Sequence, residues 1–150
     1  DSTGKRVAKL GAALEKKDSI VTKANAKVQL IFKDETIVTV GKDSVFSIKD
    51  YAFDEKEPIA RFSILKGAMR TITGKIGKIA PQKFKVETKT ATIGIRGTNF
   101  TVAVLPNGFQ RVYCTFGAVS VKVNGVQNVV NAGFYANISP SGKTKIKAFT

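Results

Sequence analysis

The stretch "TKTATIGIRGTNFTVAV" (88–104) holds one guanidinium, Arg96, between Gly94 and Gly97, in a run otherwise built of β-branched, apolar and small residues. Three kinds of chemistry could use it: a phosphate-gripping loop, a ligand contact, or an architectural joint whose freed carbonyls it pairs. The phosphate-loop versions fail on context. "GIRG" (94–97) and "GKIG" (74–77) have the Gly-x-x-Gly form that KH domains use to clamp a nucleic-acid backbone. A KH loop joins helices, whereas "TATI" and "TNFTVAV" read as strands. No glycine-rich loop ends in Gly-Lys-Ser/Thr, and there is no dinucleotide fingerprint.

Other reactive groups are scarce. The chain has no histidine, which removes the commonest general base, the Ser-His-Asp arrangement and most zinc sites. Cys114 is the single cysteine; in "RVYCTF" it alternates with Val112 and Phe116 and reads as a buried small hydrophobe. "DETIVTVGKD" lacks the alternating ligands of a calcium loop, and the carboxylates of "DEKE" (54–57) read as a solvated turn. No catalytic residue, metal site or cofactor is expected, and the chain is not read as an enzyme.

Charge is the stronger signal. The net charge is +14, and all 11 acids lie at or before Glu87. The C-terminal half therefore projects a positive field that attracts anions. The candidate anion-binding groups are Lys83, Lys85 and Lys89 around "KFKVETK", and Lys143, Lys145 and Lys147 in "GKTKIKAF". An acidic glycan or nucleic acid would suit them. Alternating lysines on a strand face also guard an edge against pairing with other chains.

The elements that must position these groups follow from period-two alternation. Ala26, Val28, Leu30 and Phe32 share one face of "AKVQLIFK"; Ala60, Phe62 and Ile64 share one face of "ARFSILK". Turn signals recur every eight to twelve residues or so. The expectation is a single all-β domain over 1–150: about a dozen short strands in stacked sheets, sandwich- or solenoid-like, with little or no helix. "KRVAKLGAALEKKD" (5–18) is read as two short strands. "LKGAMRTITG" (65–74) echoes "TFGAVSVKVNG" (115–125), as if stacked units each began a strand with Gly-Ala.

Parity then addresses Arg96. Ala91, Ile93 and Ile95 carry the apolar face before it, all odd; Phe100, Val102 and Val104 carry it afterwards, all even. A continuous strand cannot do this, so a bulge or corner is predicted near Gly97. Arg96, with five donors, is expected to staple loop carbonyls there, or an acid such as Glu87 or Asp50; ligand binding is the other reading.

In order along the chain, "KKDSIVTKANAKVQLIFKDETIVTVGKDSVFSI", "FSILKGAMRTITGKIGK", "FKVETKTATIGIRGTNFTV" and "VYCTFGAVSVKV…VVNAGFYANI" resemble the successive pieces of a FecR domain. The most specific is Thr-x-x-Ala-x-x-x-x-Arg-Gly-Thr-x-Phe. The match runs over about 5–138, leaving 139–150 as a terminal strand or tail. The usual Asp-Gly turn is here Asp34-Glu35-Thr36. The resemblance implies an all-β fold, a periplasmic or cell-envelope location, and a non-catalytic binding or signalling role toward an envelope protein or cell-wall polymer. Polyanion binding and a structural spacer are the alternatives. It also maps the family motif onto Arg96, Gly97, Thr98 and Phe100, read as architectural. With no membrane span or cytosolic segment in these residues, no sigma-factor contact is expected from them.

Overall fold

The computed structural model describes residues 19–53 and 56–149. The segment 5–18, expected as two short strands, lies outside the described residues. The rest is almost entirely β. The strands are β1 (Ser19–Val21), β2 (Val28–Ile31), β3 (Ile37–Val40), β4 (Val45–Ala52), β5 (Ile59–Ile72), β6 (Phe84–Glu87), β7 (Ala91–Val104), β8 (Gln110–Val123), β9 (Val126–Asn131), β10 (Phe134–Ile138) and β11 (Thr144–Ala148). One short helix, α1 (Lys75–Ile79), and a single 3-10 turn (Pro81–Lys83) separate β5 from β6.

Pairing sorts the strands into two open sheets that share three members. In the first the order is β1, β4, the first part of β5, β6, the first part of β7, the second part of β8, then β9. In the second it is β2, β3, the second part of β5, the second part of β7, the first part of β8, β10 and β11. Every pair is antiparallel except β5 with β6. Inward side chains of both sheets form one core. Phe62 centres an aromatic cluster, with ring centroids 5.0 Å from Phe32, 5.5 Å from Phe46 and 5.6 Å from Phe84. Val38, Met69, Phe100, Val102 and Val112 close it from the second sheet.

The shared strands β5, β7 and β8 are 14 residues each, and each passes from one sheet to the other at a glycine. Gly67, Gly97 and Gly117 have φ of 86°, 50° and 76°, a left-handed backbone that L side chains adopt only with strain. At each the buried face changes parity. On β7, Ile95 is buried, then Thr98 and Phe100; on β8, Cys114 is buried, then Val119. The flip predicted near residue 97 is present, although one strand still runs from Ala91 to Val104, since pairing resumes beyond the bulge. Phe116 falls beyond the expected inward run of β8 and is 65% exposed, because the chain has begun its turn into Gly117. The Gly-Ala echo of 65–74 and 115–125 marks two of these crossings; neither starts a strand.

Hydroxyls repair the ladder where it opens. At Gly67, Ser44 fills the gap: its Oγ donates to the Lys42 carbonyl (2.9 Å) and accepts from Ala68 N–H (3.0 Å). Thr22 accepts from Ser44 N–H and donates to the Gly41 carbonyl, at 2.9 and 2.5 Å.

The Asp34-Glu35-Thr36 turn between β2 and β3 docks α1 onto the core. Asp34 is fully buried; it accepts from Tyr51 O–H (2.7 Å), Thr36 O–H (2.8 Å), Ile76 N–H (3.0 Å) and Thr36 N–H (3.2 Å). Burial, with Asp34 alongside, pushes the Tyr51 hydroxyl well above its ordinary range, so it remains a donor. Glu35 takes φ of 73°, the conformation a glycine would supply. A glutamate holds that conformation only with strain.

Candidate functional site

The motif residues Arg96, Gly97, Thr98 and Phe100 occupy the corner of β7, and Arg96 alone lacks the role expected of it. Arg96 pairs with Ala118 through the ladder, but its guanidinium is exposed and makes no hydrogen bond or ion pair with any described residue. Of its anticipated partners, Glu87 pairs instead with Arg61 at 2.6 Å. The corner is held by Thr98, 1% exposed, whose Oγ1 donates to the Phe116 carbonyl at 2.5 Å. Thr73 completes the clasp: its Oγ1 donates to the Thr98 carbonyl (2.9 Å) and accepts from Thr98 N–H (3.1 Å). A compact hydroxyl on the inward side reaches these groups; a long side chain on the outward side points away from them. Phe100 is core. Gly117 is required by close approach, since a Cβ there would stand 2.3 Å from the Gly97 carbonyl oxygen.

The six candidate lysines are not brought together. Lys83 and Lys85 precede and occupy β6 in the first sheet, and Lys89 lies in the β6–β7 turn. Lys145 and Lys147 lie on β11, at the edge of the second sheet, with Lys143 just before it. The outer face of the first sheet also carries Asp50 and Glu87, so its charge is mixed.

The outer face of the second sheet differs. Register places Arg70, Thr101, Tyr113, Tyr135 and Lys147 side by side on five consecutive strands, from β5 to β11. In the adjoining row stand Arg111, Asn137 and Lys145. Arg111 Nε donates to Asn137 Oδ1 at 3.2 Å, which orients the guanidinium. Tyr113 and Tyr135 stack with centroids 5.0 Å apart and planes 26° from parallel; Phe149 meets Tyr113 edge-on at 5.5 Å. Neither phenol hydroxyl bonds to a described residue. None of the strand positions on this face is acidic. Beyond Arg70, Gln29, Ile37, Thr39 and Ile72 surround a shallow depression. The chemistry available is stacking, hydrogen bonding and attraction of anions, with nothing placed to make or break a covalent bond.

Sequence reasoning passed over Arg70, Arg111, Tyr113 and Tyr135. Their signal was present: "MRT", "RVY" and "YAN" set these residues on wet strand faces opposite Met69, Val112 and Ala136. What one strand cannot reveal is its neighbour, and the row exists only across five strands. Among the described residues no cluster of His, Cys, Asp or Glu could hold a metal ion, and no helix is long and apolar enough to cross a membrane.

Comparison with known proteins places this geometry. Residues 18–126 match the family model described as FecR protein. A search of curated proteins finds no match. Among solved structures, two crystal structures of a proposed anti-sigma factor from Parabacteroides distasonis, at 1.65 and 2.50 Å resolution, share the fold with a TM-score of 0.71 and 16% identity. The similarity covers 87% of this chain and 59% of theirs. The expectation that these residues make no sigma-factor contact is thereby overturned. It took a membrane span and a cytosolic segment as necessary for such contact, and the same fold is found inside the longer proposed anti-sigma factor.

Proposed function

The chain belongs to the FecR protein family, and on that premise we propose that it is the sensing part of a protein that regulates a sigma factor. As a member it is a non-enzymatic binding and signalling module of the periplasm or cell envelope. The observation that carries the proposal is the fold it shares with a proposed anti-sigma factor, 59% of whose chain the similarity covers. In this reading a ligand engages the acid-free outer face of the second sheet, and the bound state is passed to whatever part of the protein meets the sigma factor.

The test is transcript profiling in the native host. Removing residues 18–126 from the protein that carries them should leave one sigma-dependent gene set unresponsive to envelope stimuli, either constantly on or constantly off. A response indistinguishable from that of the intact protein would overturn the proposal.

A further inference from the structure

Resting on the sensing role just described, we infer that the second sheet's outer face binds a linear anionic glycan laid across the strands. Its track is the row Arg70, Thr101, Tyr113, Tyr135 and Lys147. Sugar rings present flat C–H faces that pack on aromatic rings, and their hydroxyls need donors and acceptors. The stacked tyrosines offer both, with phenol groups that no described residue engages.

The charges fit a polymer better than a small anion. Arg70 and Lys147 stand at opposite ends of the row, four strand spacings apart, or about 19 Å. A single carboxylate or phosphate cannot meet both ends, whereas an extended chain with a charge on each sugar can. Arg111, held by Asn137 one row away, presents the planar fork that grips a carboxylate with two hydrogen bonds. No acid stands on these strand positions to repel such a chain. Single-stranded nucleic acid also joins stacking to charge, but the envelope location favours the glycan.

Binding of the purified chain to polygalacturonate, and to its oligomers from dimer to octamer, tests the inference. Neutral dextran and oligo(dT) serve as comparisons. Affinity for the uronate should rise with oligomer length and then level off, while dextran is ignored. Tyr135→Ala should weaken binding about tenfold, as should Arg70→Gln with Lys147→Gln. Tyr135→Phe keeps the ring and separates stacking from hydrogen bonding. Lys85→Gln with Lys122→Gln, on the first sheet, should change little. Absence of uronate binding would overturn the inference, as would equal losses from both faces or a preference for oligo(dT). Circular dichroism of each variant ensures that a loss is not one of folding. Uronate binding without a transcriptional role would leave an adhesive module; the converse would leave a sensor with a different ligand.

Discussion

A buried carboxylate is tolerated only where its lone pairs find donors, and Asp34 meets that demand with two backbone amides and two hydroxyls. Asp34→Ala strands Ile76 N–H and the Tyr51 hydroxyl together, and should cost about 3–5 kcal/mol, read as the shift of a urea midpoint. The neighbouring residue should respond the other way. Glu35→Gly relieves a left-handed backbone at φ 73° and should add about 0.5–1 kcal/mol. The ion pair it gives up, to Lys75 at 3.5 Å, joins two exposed side chains and contributes little. Arg96 shows what was legible at this scale. Its parity already placed it outward, because Ile93 and Ile95 are inward; the same count put Thr98 inward beside Phe100. The corner could be read, but a guanidinium's many donors made it the apparent staple, where the hydroxyls of Thr98 and Thr73 close it.

The crossings of β5, β7 and β8 are unequal despite their common glycine. At Gly117 the β7 backbone leaves no room for a Cβ, whereas at Gly97 nothing lies within 4 Å of one. Gly117→Ala must therefore pull the two strands apart, and should cost more than about 3 kcal/mol. Gly97→Ala meets only backbone strain and should cost about 1 kcal/mol. Thermal melts of the two variants separate these cases; equal shifts would mean that close approach does not govern the corner. Alternation revealed the strands because their inner faces are consistently apolar. Most are as short as expected, but β5, β7 and β8 continue through their glycines, and the Gly-Ala echo lies inside two of them and not at strand beginnings. A chain reversing its face at a bulge and a chain ending one strand to begin another leave much the same pattern of apolar residues.

At the scale of the described molecule, the acids are confined in space as they are along the sequence. The described acids after β1 lie in turns and on the first sheet, which leaves the second sheet's outer face to cations and tyrosines. The composition announced an anion-seeking protein. It could not say which lysines mattered, since Lys83 and Lys85 belong to one sheet and Lys145 and Lys147 to the other. That division depends on long-range pairings such as β5 with β7, which no local pattern encodes. The three strands common to both sheets carry a mechanical corollary. Among the described residues, no plane parts the two sheets without severing β5, β7 and β8, so the two layers are expected to melt together. Amides from both layers should exchange with deuterium through one cooperative opening, with matching free energies in mild denaturant. A message arriving at the tyrosines would then leave as a tilt of the entire rigid body.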